Sequence, residues 1–250
     1  MLRNKVALVT GSSRGIGAAI AMELAKAGAR VVVHGRDQSA LREIEAAIHN
    51  DGGTVMSVTA DVTDFNEIEA VRHAIEDRFG PVDVLVANAG GSFTPPAPLE
   101  DIPEEGWRVT VDANLLATLL TIKSFLPGMK QRRSGAIITI SSTAGRRPDS
   151  RSPIPYAAAK AGITLLTQDV AAQVGPFGIR ANCIAPETIL TERNRERIPQ
   201  AQQQALADVH PLKRLGTPED VAHAAVFLAS DKASWITGVV FDVTGGAVMI

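Results

Sequence analysis

The chain has 250 residues, 45% of them hydrophobic, and a formal net charge of −2. That is enough apolar material for a large core within one α/β domain, and the near balance of charge argues against a nucleic-acid partner. A single cysteine, Cys183, excludes an internal disulfide. Met1 to Lys5 leaves no room for a secretory segment, and no run is expected to approach a membrane span, so a cytoplasmic protein is expected.

In chain order, Val6 to Thr10 reads as a short buried strand that feeds Gly11-Ser12-Ser13-Arg14-Gly15-Ile16-Gly17 and then a helix-forming stretch, Ala18 to Ala27. Strand, glycine turn and helix make a phosphate cradle, because the turn lets an anion approach and the first helical N–H groups point at it. Further strands read at Val31 to His34, Val55 to Thr59, Val84 to Asn88, Ala136 to Ser141, Arg180 to Ala185 and Val239 to Val243. Helices fall between them. One carries Ile68, Val71, Ile75 and Phe79 at helical spacing behind an expected capping pair, Asp64 and Glu67. The alternation predicts a doubly wound, parallel, seven-stranded sheet of Rossmann type in a single domain spanning 1–250, with ligands at the carboxyl ends of the strands.

Past the middle, Tyr156 stands four residues before Lys160 at an expected helix start, so phenol and ammonium share one helical face. A nearby cation stabilises phenolate and tunes the phenol as a proton donor; the plain alternative is a half-buried tyrosine beside a surface lysine. The second strand ends His34-Gly35-Arg36, with no acid where an NAD-type ribose contact would stand. Arg36, with Arg14 from the glycine turn, favours the 2′-phosphate of NADP(H), while Asp37 is expected to start the next helix. From Pro186 to Gly216 runs a connection far longer than an ordinary α/β loop, and residues 187–215 are expected to form a substrate lid. Within it, Thr191 to Arg197 mixes both signs of charge, as a solvated helix does.

Together, Thr10-Gly11-x3-Gly15-x-Gly17, Ala87-Asn88-Ala89-Gly90, Ser142 at a strand end and Tyr156-x3-Lys160 resemble the short-chain dehydrogenase/reductase family over essentially the whole chain. The chain looks most like the 3-oxoacyl-[acyl-carrier-protein] reductase branch. The resemblance implies an oxidoreductase that reduces a small-molecule carbonyl to a secondary alcohol with NADPH, or the reverse, without a metal. Its best substrate is a 3-oxoacyl thioester or related ketone. In it Tyr156 gives a proton, Lys160 holds the nicotinamide ribose and depresses the tyrosine pKa, Ser142 binds the carbonyl, and Asn114 holds a water leading to Lys160. Asp61 and Val62 would touch adenine, although Asp61 also reads as a turn residue; Asn88, Ala89 and Gly90 would line the cofactor, and Pro186, Ile189 and Thr191 would hold carboxamide and diphosphate. A homotetramer is implied, with contacts around Asn114 and along Gly238 to Ile250. Acyl carrier protein is a candidate partner, for which Lys130, Arg132 and Arg133 are the candidate docking cations.

Two departures bear on the substrate. The segment from Arg146 to Pro153 is basic and proline-rich, a cationic rim or a solvated loop. Glu187 stands after Pro186 where the family has glycine, and is expected to bring a negative charge to the nicotinamide end or to turn outward. Dehydration or epimerisation on the same fold, and a non-catalytic NADP-binding regulator, are the alternative readings.

Overall fold

Short runs rich in valine and isoleucine form seven strands: β1 (Val6–Val9), β2 (Arg30–Gly35), β3 (Thr54–Thr59), β4 (Val84–Ala87), β5 (Gly135–Ile140), β6 (Ile179–Pro186) and β7 (Val240–Val243). In the computed structural model, which describes residues 1–249, they pair in parallel in the order β3-β2-β1-β4-β5-β6-β7. Each expected strand is present, its ends shifted by a residue or so. Ile250 lies outside the described residues.

Nine helices among the described residues connect and flank the sheet: α1 (Gly15–Lys26), α2 (Gln38–Asn50), α3 (Phe65–Phe79), α4 (Glu104–Val111), α5 (Ala117–Arg132), α6 (Ile154–Val174), α7 (Glu192–Arg197), α8 (Gln200–Val209) and α9 (Pro218–Ala229). The strands are apolar on both faces because each face is covered. Ala7, Val9, Val31 and Val33 pack with Ile20 and Leu24 of α1 and Val221 of α9, while Val6, Leu8 and Val32 pack with Ile75 of α3 and Phe125 of α5. Cys183 is buried in this core, as its apolar neighbours suggest.

Two expectations need correction. Asp64 does cap α3, accepting from Asn66 N at 2.8 Å, but the Glu67 carboxylate accepts from Asp61 N at 2.7 Å, so the reciprocal half of the capping box is missing. Glu67 is better used where the β3–α3 turn leaves an amide free. One helical run, Glu104–Arg132, is long and apolar enough by length and composition to cross a membrane, where none was expected. Of its apolar window, 44% is buried in protein, with Ile122, Phe125 and Met129 in the core under the sheet.

Strand order reverses between β1 and β4, which are neighbours although β2 and β3 intervene in sequence. Loops leaving these two strands diverge to opposite faces and open a crevice at the carboxyl edge. The glycine turn and Asn88 both stand there.

Candidate active site

After β1 the chain turns through Gly11 and Gly15, both at positive φ, into α1. The turn approaches its surroundings so closely that a Cβ on Gly17 would overlap the Gly11 carbonyl oxygen and stand 2.6 Å from Asn88 Nδ2. Asn88 Nδ2 donates to the carbonyls of Thr10 at 2.9 Å and Gly11 at 3.0 Å, and the Thr10 hydroxyl accepts from the amides of Asn88 and Ala89 at 3.1 Å each. Ser12 donates to Val9 O at 2.8 Å and accepts from His34 N at 2.8 Å. His34 completes the frame: Nδ1 faces the Gly11 amide at 3.2 Å and Nε2 faces Ala60 O at 3.1 Å, so the neutral Nε2–H tautomer satisfies both. Burial lowers its pKa and favours that form. His34 was not among the expected site residues; its only signal was a polar ring near the end of an apolar strand.

Two clefts that share Gly11 and Gly90 run along this edge. The first, of about 480 Å³, is lined by Ser13, Arg36, Asp61, Val62 and Ala89. Arg36 is exposed there, and a side chain at Gly35 would begin 3.1 Å from Ser13 Cβ, so the position leaves little room for an acid. Asp61 serves its turn as well, accepting from Thr63 N at 2.8 Å and Thr63 Oγ1 at 2.7 Å, bonds that lower its pKa. Asp37 does two things: it caps α2 through the amides of Ser39 and Ala40, and it pairs with the Arg14 guanidinium. With side chains 64% and 43% exposed, that pair is weakened by solvent and leaves Arg14 available to a stronger anion.

The second cleft, of about 530 Å³, is lined by Arg14, Gly15, Ile16, Gly17 and Asn88 on one side and by Ser142, Tyr156, Lys160, Pro186, Ile189 and Thr191 on the other. Helix α6, entered through Pro153 and Pro155, places Tyr156 and Lys160 one turn apart. Lys160 is buried, donates to Ile140 O at 2.8 Å, and lies 5.5 Å from the Tyr156 ring centre. Burial lowers its pKa to about 8. It raises that of Tyr156, a shift that the Ser142 hydroxyl partly offsets. The expected depression by Lys160 is therefore not what governs this phenol; desolvation is, and it keeps the proton on. Ser142 is half-buried at the cleft, its Oγ accepting from Ala144 N at 3.2 Å. The neighbouring Ser141 hydroxyl is committed to Lys160 O at 2.7 Å, which leaves Ser142 as the hydroxyl facing the cleft.

Of the expected site residues, only Asn114 lines neither cleft. It sits in a π-turn, Asp112–Leu116, between α4 and α5. Its amide is spent on backbone: Nδ2 donates to Gly91 O and Thr110 O, each at 2.8 Å, and Oδ1 accepts from Gly91 N at 3.1 Å. Asn114 thus holds the loop after β4 that walls the cleft. Glu187 neither points a free charge at the nicotinamide end nor turns to solvent, because its carboxylate accepts from the Thr188 amide and faces His210 Nε2 at 2.9 Å. In the basic loop, Arg146 makes a two-pronged pair with Asp242 at 3.1 Å and Arg151 pairs with Asp149 at 2.7 Å, so two of its three arginines are neutralised and no cationic rim results.

Lys130, Arg132 and Arg133 are also committed. Arg132 donates to Val82 O and Arg133 to Pro176 O, each at 2.7 Å, and Lys130 stands over the Phe177 ring at 5.0 Å. They end α5 just before β5 begins, at the amino edge of the sheet and so opposite the cleft. Within one chain that placement sets the three cations apart from the cleft that holds Tyr156.

The model of the family described as Enoyl-(Acyl carrier protein) reductase matches residues 11–248. Cyclohexanol dehydrogenase of Rhodococcus sp. (strain TK6) is 38% identical over 260 residues, covering 98% of this chain and 96% of its own. The 3-oxoacyl-[acyl-carrier-protein] reductase of Vibrio cholerae serotype O1 is 39% identical over 249 residues, covering 100% and 99%. Among solved structures, a putative gluconate dehydrogenase from Agrobacterium tumefaciens superposes with a TM-score of 0.94 at 32% identity, covering 100% of this chain and 98% of that one. The names differ in substrate and agree on oxidation or reduction.

Proposed function

The chain belongs to the short-chain dehydrogenase/reductase family, and on that footing we propose that it interconverts a ketone and a secondary alcohol with NADP(H), Tyr156 acting as the proton donor in the reducing direction. The observation that carries this reading is the convergence of Ser142, Tyr156 and Lys160 on the cleft that also holds the glycine turn. The turn suits a dinucleotide, since the space a Gly17 side chain would need is already filled and the α1 N-terminus faces the cleft. When bound, the reduced nicotinamide supplies the hydride. Arg14 and Arg36 would hold the 2′-phosphate, and Pro186, Ile189 and Thr191 would wall the nicotinamide end.

Tyr156, kept protonated by burial, gives its proton to the carbonyl oxygen as the alcohol forms. Ser142 donates a hydrogen bond to the same oxygen and fixes its position, and Lys160 presents its ammonium to the ribose and the phenol. Asn114 acts indirectly, by holding the Gly91 loop. Residues 187–215, with α7 and α8, form a lid over the cleft. A 3-oxoacyl thioester or a related ketone is the substrate we favour, on the likeness to the Vibrio enzyme.

Loss of NADPH absorbance is to be followed with β-ketoacyl thioesters, cyclic ketones and quinones. One of these should turn over, and Tyr156→Phe should reduce that rate by roughly 10²–10⁴ while NADPH still binds. A variant retaining more than a tenth of the rate at saturating substrate removes Tyr156 from the mechanism.

A further inference from the structure

The stretch that leaves β6 at Glu187 returns to the body of the protein at Gly216, and among the contacts that close its base two stand beside the cleft wall. One is backbone: Ile189 bridges Gly216, with Leu190 N donating to Gly216 O at 2.8 Å and Gly216 N to Thr188 O at 3.2 Å. The other is the pair of Glu187 with His210, whose side chains are 9% and 2% exposed. His210 Nε2 stands 2.9 Å from Glu187 Oε2, and Nδ1 stands 2.6 Å from Leu206 O, in α8. An oxygen faces each ring nitrogen, so both ends of the imidazole are engaged. Removing either partner leaves the other buried and short of one hydrogen bond.

The pair is also backed. Glu187 N donates to Val243 O at 3.2 Å, which ties it to β7. The turn at Gly245 and Gly246, both at positive φ, lies against the far side: a Cβ on Gly246 would stand 2.7 Å from Pro211 Cγ, so only glycine lets the turn pack there. Glu187, Thr188 and Ile189 form the partition between the 530 Å³ cleft and a second cavity of about 590 Å³, and His210 lies on the side of the second. Whatever fixes Glu187 therefore fixes the wall beside the nicotinamide end.

We propose that Glu187 and His210 are positioning residues, a clasp that sets the Pro186–Ile189 wall and holds α7 and α8 over the cleft. The proposal rests on reading that cleft as the cofactor site. Without the clasp, the excursion keeps its backbone bridge, the Leu212 N to Gly245 O bond at 3.2 Å and the Arg214–Asp220 pair, all outside α7 and α8, while α7, which has no buried residue of its own, is tied to the wall itself through Asn194 Nδ2, which donates to Ile189 O at 2.8 Å.

Limited trypsin digestion of the whole protein, without cofactor, tests this, because Arg193, Arg195 and Arg197 lie in α7 and cleavage reports the open population. The wild type is compared with Glu187→Ala, His210→Leu and the double variant, cut sites being identified by mass. Each single change should speed cleavage in α7 about tenfold, and the double change should do no more than the larger single one, since either opens the same contact. In parallel the KM for NADPH should rise about tenfold with kcat reduced no more than about threefold. If one single variant does not fold, the other carries the comparison. Cleavage of a folded single variant within twofold of wild type, or single effects that multiply in the double, overturns the clasp. The digestion needs no turnover, so failure of the cofactor reading would leave it unmoved.

Discussion

Lys160 is the residue on which burial has the largest chemical consequence. Its ordinary pKa is 10.5 and burial brings it to about 8, so the cation that the mechanism uses is lost as pH rises through about 8. The sign for stability is opposite. The unfolded lysine keeps its proton up to about 10.5 and the folded one does not, so between about 8 and 10.5 the unfolded state binds more protons and the folded state gains with pH, by about 3 kcal/mol at most. Carbonyl reduction should therefore decline in kcat/KM above pH 8, while the Tm difference between wild type and Lys160→Met shifts in favour of wild type over the same range. Parallel movement of the two would refute the assignment. Cofactor choice is also a residue-scale matter. Arg36 is exposed and has no carboxylate partner among the described residues, while Arg14 is shared with Asp37. Arg36→Asp should erase most of the preference for NADPH over NADH, read as a ratio of kcat/KM values, and equal kcat/KM for the two cofactors in the unmodified protein would disprove it.

At the scale of elements, what the sequence made legible is what local chemistry decides. Strands buried on both faces had to be apolar runs, the glycine turn had to be glycine because it touches Gly11 and Asn88, and Tyr156 and Lys160 share a face because α6 is a helix. Partners distant in sequence were not legible. Glu187 finds His210 and Arg146 finds Asp242 only once β6, β7 and the excursion between them are in place, and no spacing rule links residues 23 or 96 apart. The Lys130 to Arg133 cluster was legible as a run of cations, but its place at the amino edge follows only from the parallel pairing of the sheet. Asn88 belongs to both groups: its motif was visible, but the use of its amide was not. It joins the end of β4 to the turn after β1, so Asn88→Ala strips two carbonyls of their donor. A loss of about 1–3 kcal/mol in stability is expected from urea unfolding, together with weaker NADPH binding by fluorescence titration. Wild-type affinity in a destabilised variant would show that the turn does not need this tie.

For the whole molecule, the question is whether one chain is the working unit. Ser142, Tyr156 and Lys160 belong to one chain, so the question of a partner turns on the surface. The surface argues for one. Leu165 on α6 is 60% exposed and Leu119 on α5 and Val109 on α4 are exposed too, while near β7 Trp235, before the strand, is 98% exposed and Phe241, on it, is exposed as well. Large apolar side chains on two separate faces are what two different two-fold contacts require, and two such contacts close a tetramer of the kind the resemblance implies. Light scattering should then give a mass four times that of the 26.4 kDa chain. Leu165→Glu buries a charge in one contact only and should give a particle of half that mass, with turnover per chain within about threefold because each cleft stays whole. A wild-type monomer would remove the tetramer; a half-mass Leu165→Glu particle without activity would show instead that the α6 contact holds Tyr156 and Lys160 in place.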